Sequence, residues 1–223
     1  MTRRGLSLRV LLLAWAALPA LAAANLVVVL NSRDASVTLL DYATGAEKGV
    51  IAVGKEPHHL IPTPDGKELI VASAVGNELV FLDPATGALK RRLPDIPDPY
   101  QLGFSPDRQW LVVAANRLDR VDVYRAGDYG LAKRFELPSI PSHVAFSNDS
   151  AFAFVTLQGS DDIVAVDLKA MTVAWKMKVG KTPAGIVTTP DGNHLLVGVM
   201  GEDHVAAIDW RKRAIVKRLS TGA

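Results

Sequence analysis

The chain contains no cysteine in its 223 residues. Without thiols it cannot form disulfides, attach haem through cysteine, hold an iron–sulfur cluster or carry a lipid anchor on cysteine. The common signatures of catalysis are absent too: the sequence has no G-x-S-x-G elbow, no H-E-x-x-H motif, no Walker loop and no G-x-G-x-x-G loop. These absences favour a binding role over an enzymatic one.

The sequence also lacks an excess of charge of either sign beyond its N-terminus. Three of the 25 basic residues and none of the 23 acidic residues lie in the first 22 positions, which leaves 22 basic against 23 acidic residues. The basic clusters Lys90–Arg92 and Arg211–Arg213 fall in or beside predicted outer strands, where charge discourages edge pairing, and a polyanion site is the alternative. We expect no nucleic-acid partner.

The N-terminus has the pattern of a signal peptide, which we assign to residues 1–22. Arg3, Arg4 and Arg9 precede the apolar run VLLLAWAALPALAAA, and Ala20-Leu21-Ala22 satisfies the A-x-A rule, so we predict cleavage after Ala22, with Ala24 as the alternative. The segment TRRGLSL resembles a twin-arginine signal, although the ordinary secretory route also fits. The apolar run is too short for a membrane anchor, so we expect a periplasmic or secreted protein.

The rest of the chain repeats itself with a period of 42 residues. The upstream prolines of the repeat, here called the repeat prolines, are Pro57, Pro99, Pro141 and Pro183. Turn segments start at Pro64, Pro106, Asn148 and Pro190, and turn aspartates follow at Asp41, Asp83, Asp167 and Asp209, with Arg125 as the one exception. A period near 42 is typical of four-stranded propeller blades, although some two-helix repeats are of similar length.

The content of each repeat favours strands over helices. Short runs such as Leu69-Ile-Val-Ala and Leu79-Val-Phe-Leu are rich in β-branched or aromatic residues and are bounded by Gly, Pro, Asn and Asp. Nearly continuous apolar strands fit sheets covered on both faces, as in a blade held between two others. We predict an all-β fold, a β-propeller of four-stranded antiparallel blades with repeats at about 23–56, 57–98, 99–140, 141–182 and 183–223.

The segment PHHLIPTPDGKELIVASAVGNELVFLDPATG, which begins at Pro57, orders proline, short strand, Pro-Asp-Gly turn, strand and a strand that ends in Asp. This order resembles the YVTN family of β-propeller repeats, and the resemblance covers Ala23 to Ala223. The superfamily includes the haem domain of cytochrome cd-type nitrite reductases. The resemblance implies the fold but leaves activity open, because such propellers serve in electron transfer, cofactor handling and plain binding.

The phase of the repeats predicts an open or truncated ring. After the signal peptide the chain starts with the second strand of a blade, at Asn25, and it stops where a new blade should begin. The chain therefore contains four inner strands and five sets of the second, third and fourth strands of a blade. Because seven blades at this period would need about 316 residues, we predict about five blades of a seven-bladed ring.

The candidate site follows from the direction of the inner strands. All run alongside the central channel in one direction, so the residues just after each repeat proline should gather at one mouth of the channel. These are His58, His59, Tyr100, Gln101, Ser142 and His143, with Ala184-Gly185 at the equivalent place in the last repeat. We predict that His59 and His143, at the same repeat position, line one opening as a ligand-binding site. The alternative is that these histidines only bond backbone groups between blades.

Two functions remain open from the sequence. The first is an exported, non-catalytic propeller that presents its channel mouth to a small-molecule ligand or a periplasmic protein. The second is a cytochrome d1-like haem or redox-cofactor propeller in periplasmic respiratory metabolism, where one histidine would suffice as the axial ligand. Haem is implied by the resemblance alone, and the sequence assigns no metal.

Residues outside the mouth have simpler interpretations. Asn77, Asp119, Asp161 and Asp203 recur in one turn of the repeat, and we predict local hydrogen bonds for them, with calcium binding as the alternative. His194 and His204 are predicted to be solvated turn residues.

Overall fold

The computed structural model describes residues 26–222, so the predicted signal peptide lies outside the described residues. Nineteen strands account for most of this range. They are β1 (Leu26–Asn31), β2 (Ser36–Asp41), β3 (Glu47–Ala52), β4 (Pro57–Pro62), β5 (Leu69–Ser73), β6 (Glu78–Leu82), β7 (Leu89–Pro94), β8 (Gln101–Phe104), β9 (Trp110–Ala115), β10 (Arg120–Arg125), β11 (Leu131–Glu136), β12 (Pro141–Phe146), β13 (Phe152–Leu157), β14 (Asp162–Asp167), β15 (Thr172–Lys178), β16 (Pro183–Thr188), β17 (His194–Val199), β18 (His204–Asp209) and β19 (Ala214–Ser220).

The strands form five antiparallel sheets, each made of consecutive strands. The first blade is the three-stranded sheet β1–β3, and the second to fifth blades are the four-stranded sheets β4–β7, β8–β11, β12–β15 and β16–β19. The helices in the described range are two single turns of 3₁₀ helix, Asn116–Leu118 and Gln158–Ser160. The predicted all-β propeller of about five blades is confirmed.

The predicted turns join the first two strands of each four-stranded blade. In all four turns, the backbone N–H of the third turn residue donates to the carbonyl oxygen of the residue just before the turn. Examples are Gly66 N to Thr63 O at 2.8 Å and Arg108 N to Ser105 O at 2.8 Å. That third residue has a positive φ in each blade: Gly66, Arg108, Ser150 and Gly192. We call the end of the molecule that carries these turns the turn face, and the opposite end, where the inner strands begin, the mouth face.

Burial along the strands shows which blades are covered on both faces. The central strands of the second, third and fourth blades are buried almost continuously, as in β5, β9 and β13. In contrast, β1 and β17 alternate between more and less buried residues, and Val27 and Val29 are exposed. A period of two marks a sheet with one face covered, so the five blades form an open arrangement. The seven-bladed ring stays a prediction.

A left-handed residue precedes each repeat proline. Glu56, Asp98, Ile140 and Thr182 have φ between 48° and 58°. The recurring turn residues stabilise this geometry in three blades. Asn77 accepts from Asp98 N at 2.9 Å, Asp119 from Ile140 N at 2.8 Å and Asp161 from Thr182 N at 3.0 Å. These hydrogen bonds join residues about 21 positions apart and tie one blade to the start of the next. The prediction that these side chains bond only within their own turn is therefore wrong.

We call Asn77, Asp119 and Asp161 the capping residues, because each accepts from the N–H of the residue before a repeat proline. In the first blade Ala35 takes their position, also with a left-handed φ of 52°. Alanine is strained there and has no side-chain acceptor for Glu56 N, whereas asparagine tolerates the left-handed region. We expect Ala35→Asn to stabilise the fold by about 1 kcal/mol, measured by urea unfolding. The matched control is Ala43→Asn in an exposed turn. An equal gain in both variants, or a loss in Ala35→Asn, would contradict the capping role.

The basic cluster Lys90–Arg92 on β7 pairs with acids of its own blade. Arg91 Nη2 lies 2.7 Å from Glu68 Oε2, and Arg92 Nη1 lies 2.6 Å from Glu78 Oε1. Arg91 also lies over the Phe81 ring, 3.4 Å from its centroid. These contacts account for the cluster within the blade. Over residues 26–222, no helix has the length and apolar character needed to cross a membrane.

Candidate functional site

The inner strands bring the predicted site residues to the mouth face. Strands β4, β8, β12 and β16 are neighbours in that order around the channel, and β1 lies beside β4. The pairing of β4 with β5 shifts between Pro57 and His59, and that of β12 with β13 shifts between Pro141 and Val144. Such bulges turn side chains out of the regular alternation. They occur at His58 and at Ser142-His143, beside the repeat prolines.

His58 joins the second blade to the third. Its ring stacks on the Tyr100 ring with centroids 3.9 Å apart and planes inclined by 29°. Its Nδ1 lies 2.8 Å from the Tyr100 carbonyl oxygen. Because a carbonyl can only accept, Nδ1 carries a proton and donates it. In the neutral ring this leaves Nε2 as a hydrogen-bond acceptor. His58 thus makes the backbone bond between blades that the sequence analysis considered for the histidines.

His143 completes an aromatic row at the mouth. The Tyr100 ring meets the His143 ring edge-on, with centroids 6.2 Å apart and planes at 89°. Nδ1 of His143 lies 2.7 Å from the hydroxyl of Ser142, which is buried and accepts from Gln158 Nε2 at 2.9 Å. Among the described residues His143 Nδ1 is the one acceptor within reach of this hydroxyl, so the hydroxyl proton is directed to Nδ1. This arrangement places the ring proton of His143 on Nε2 as a donor.

His59 is the open imidazole of the group. No side-chain hydrogen bond joins it to another described residue, and its ring is half-buried. Burial first, and then the nearby His143 and His58 as like charges, together lower the pKa of His59 to about 4. The pKa of His143 is also lowered, first by burial and then by His58. His59 is therefore a neutral imidazole at neutral pH.

Gln101 lies beside the mouth but acts within the scaffold. Its side-chain oxygen accepts from Val144 N at 2.9 Å, which ties β8 to β12. Thr156 does the same for the next pair of inner strands: its hydroxyl accepts from His143 N at 3.0 Å and donates to Ala184 O at 2.9 Å. The six predicted residues therefore divide into four ring-bearing residues, here called the ring row, and two supports, Gln101 and Ser142. The ring row is His58, Tyr100 and His143, which are in ring contact, together with His59.

Sequence reasoning missed an ion-pair group at the rim of the mouth. Asp98 is buried and accepts from the backbone N of Arg117 at 2.6 Å, from its Nε at 2.9 Å and from its Nη2 at 2.6 Å. Arg117 Nη1 also reaches Glu56 Oε2 at 3.3 Å. Both acids directly precede a repeat proline. The sequence signal for this ion-pair group was a charged residue directly before a repeat proline. The later repeats have Ile140 and Thr182 at that position.

The remaining histidines differ from their predicted environment. His194 is the first residue of β17 and half-buried. The side chain of His204 is only 10% exposed and its Nδ1 lies 3.5 Å from Glu202 Oε2. The prediction of a solvated turn residue is wrong for His204, because β18 begins there and packs it against the blade. Within the described range, no three histidine or acidic residues are arranged to hold a metal ion.

The fold and the mouth can now be compared with known proteins. The family model of the YNCE-like β-propellers matches residues 8–223. The chain belongs to the YNCE-like β-propeller family. This bears out the propeller resemblance inferred from the 42-residue repeats. No curated protein matches the chain by sequence.

Solved structures similar to this YNCE-like propeller have diverse functions. A protein from Lactobacillus plantarum has a TM-score of 0.74 at 17% identity, over 89% of this chain and 69% of its own. Kuenenia stuttgartiensis hydrazine synthase has a TM-score of 0.65 at 21% identity, over 84% of this chain and 55% of its own. Dihydro-heme d1 dehydrogenase NirN in complex with DHE has a TM-score of 0.69 at 19% identity, over 89% of this chain and 44% of its own.

The chain thus spans about half of the hydrazine synthase chain and less than half of the NirN chain. Identities of this size establish a shared fold alone. The diversity of the neighbours agrees with the general use of one propeller scaffold for different sites. The activity of this propeller must be argued from its own residues.

Proposed function

We propose that the protein is an exported, non-catalytic binding module whose channel mouth holds a small, uncharged, planar ligand. The observation that carries this proposal is the ring row of His58, Tyr100, His143 and His59. It combines flat stacking surfaces with one acceptor, His58 Nε2, and one donor, His143 Nε2. The signal-peptide pattern of residues 1–22 supports export.

The electrostatics of the row favour an uncharged ligand. The pKa values of His59 and His143 are lowered, so both rings are neutral at neutral pH. The ion-pair group of Arg117, Asp98 and Glu56 is paired within itself, so it offers a ligand neither a free cation nor a free carboxylate. A planar amide, with one donor and one acceptor beside a ring, matches the row.

Nicotinamide is a suitable probe because it has a flat ring and a neutral amide. We expect saturable binding to the wild-type protein by calorimetry, and about tenfold weaker binding to His59→Ala and to His143→Ala. The control variant is His194→Ala on the turn face, which should bind as the wild type does. Loss of thermal stability in both mouth variants without a binding defect would show that the histidines are structural. Binding that is absent from the wild type would overturn the proposal.

Haem is the second candidate, and His59 is the residue that favours it. An axial ligand requires one neutral imidazole with an available nitrogen, which His59 provides. The neighbour NirN is described in complex with DHE, which places a related ligand on a related fold. In this chain His59 would hold the iron and Tyr100 would be one of the aromatic residues at the mouth, while the haem itself would supply one-electron chemistry.

Absorption spectra separate the two candidates. Protein recovered from the periplasm of its native host should be colourless if the mouth holds an uncharged organic ligand. A Soret band that is lost in His59→Ala and kept in His194→Ala would support the haem candidate. Haemin added to purified wild-type protein should then give the same band.

A further inference from the structure

The third blade departs from the repeat at two positions, and both carry arginine. The third turn residue is Gly66 or Gly192 in two other blades and Arg108 here. The aspartate that follows the third strand in the other blades is replaced by Arg125. Both arginines lie on the turn face, opposite the mouth, and both line one cleft of about 440 Å³. The other lining residues are Gln109, Trp110, Gly127 and Asp128.

Arg108 lies in a backbone conformation that favours glycine. Its φ is 64°, close to the 70° of Gly66 and the 69° of Gly192. A side chain with a Cβ is disfavoured in this left-handed region. Ser150, at the same position of the fourth blade, has a structural role that accounts for it, because its hydroxyl accepts from Asp107 N at 2.9 Å. The Arg108 guanidinium makes no ion pair or hydrogen bond with any described residue.

The turn that follows β10 is rearranged around Arg125. In the other blades the aspartate accepts backbone N–H groups of its own turn, as Asp83 does from Ala85 and Thr86. In the third blade Asp128 takes over this role and accepts from Gly130 N at 2.9 Å. Asp128 also binds Arg125, with Nε to Oδ1 at 3.0 Å and Nη2 to Oδ2 at 2.9 Å. The charges of Arg125 and Asp128 therefore cancel, and Arg108 leaves the cleft with one net positive charge.

Trp110 adds a flat apolar surface and an available donor. The equivalent positions hold Leu26, Glu68, Phe152 and His194, so an indole at this place is particular to the third blade. Trp210, elsewhere in the fold, uses its indole N–H to bond Gly192 O at 3.0 Å. The indole N–H of Trp110 makes no such bond within residues 26–222. The neighbouring Gln109 side chain likewise bonds no described residue.

We propose that this cleft binds a small planar carboxylate anion, with the carboxylate on Arg108 and the ring against Trp110. The guanidinium presents a planar pair of donors that matches a carboxylate, and the aromatic indole matches a flat organic group. The single uncompensated charge selects a monoanion over a neutral molecule. This site is separate from the mouth, since it lies at the opposite end of the third blade.

Benzoate is the probe for this site, and benzamide is its neutral counterpart. We expect benzoate to shift the Trp110 indole signal in a saturable way by NMR, with benzamide binding about tenfold more weakly. Arg108→Gly should bind benzoate about tenfold more weakly and should unfold at an equal or higher temperature, because glycine is unstrained at this φ. The control is Arg33→Ala, an exposed arginine on the mouth face, which should bind as the wild type does.

Three results would overturn the proposal. They are no saturable shift of the Trp110 signal with benzoate, equal affinity for benzamide, and unchanged benzoate affinity in Arg108→Gly. Trp110→Phe removes the indole signal, so its benzoate affinity is measured by calorimetry. It keeps a ring at the position where the fourth blade has Phe152 and should retain part of the affinity. Nicotinamide binding at the mouth should be unchanged in Arg108→Gly, which makes failure here distinct from failure of the proposed function.

Discussion

Asp122→Ala should destabilise the protein by about 3 kcal/mol, because it removes the carboxylate that a cluster of donors in the third blade shares. Asp122 is fully buried in β10. Arg134 approaches it with Nε at 2.8 Å and Nη2 at 3.0 Å, Arg120 with Nε at 3.3 Å, and the Tyr124 hydroxyl at 3.2 Å. Burial and the Asp122 carboxylate raise the pKa of Tyr124. Without Asp122 the Tyr124 hydroxyl loses its acceptor, and the buried Arg120 Nε, which makes no hydrogen bond even in the wild type, loses its ion pair.

The magnitude depends on how far the arginines can reach water. The Arg134 side chain is 37% exposed, so it can turn toward solvent, whereas Arg120 is 15% exposed and cannot easily do so. Urea unfolding measures the change. The control is Asp128→Ala, which breaks an exposed bidentate pair with Arg125 and should cost at most about 1 kcal/mol. Equal effects of the two substitutions would show that burial does not set the strength of the Asp122 cluster.

Acidification from about pH 7 to pH 5 should weaken the fold through the mouth histidines. The folded-state pKa of His59 is about 4, against 6.5 for the unstructured residue. Below pH 6.5 the unfolded chain binds a proton at His59, whereas the folded chain does not. The stability that the neutral His59 ring contributes is therefore fully present above pH 6.5 and is lost as the pH falls toward 4. Because the ring is partly open to solvent, we expect a loss of about 1–2 kcal/mol.

His59→Gln should flatten this dependence, since glutamine does not titrate. Asp41 and Asp191 do not affect the result, because hydrogen bonds hold their pKa values near 2 and their effect falls below the histidine window. His143 should add a smaller slope of the same sign, because its pKa is also lowered. Chemical unfolding at the two pH values tests this. A wild-type stability that does not change, or an unchanged slope in His59→Gln, would refute it.

The family and fold were predictable because their signals are local. Each 42-residue repeat carries its own strands and turns, and the Pro64–Gly66 turn or the run Leu69–Ser73 forms the same element wherever it occurs. The alternation of burial in β1 and β17 also follows from the phase of the repeats, since blades at the ends of an open arrangement have one uncovered face. The set of residues at the mouth was predictable for the same reason.

The sequence by itself determined the blades, their number in this chain and which residues begin each inner strand, because these depend on neighbours within one repeat. It did not determine what those residues do. Whether His58 or His59 bonds the next blade depends on a one-residue bulge and on the Tyr100 carbonyl, which is 42 positions away. The turn-face cleft likewise exists only because folding brings Arg108 and Arg125 together across β9 and β10. Tertiary structure decides these roles, because they depend on contacts between residues far apart in sequence, within one blade or between blades, and on no local pattern.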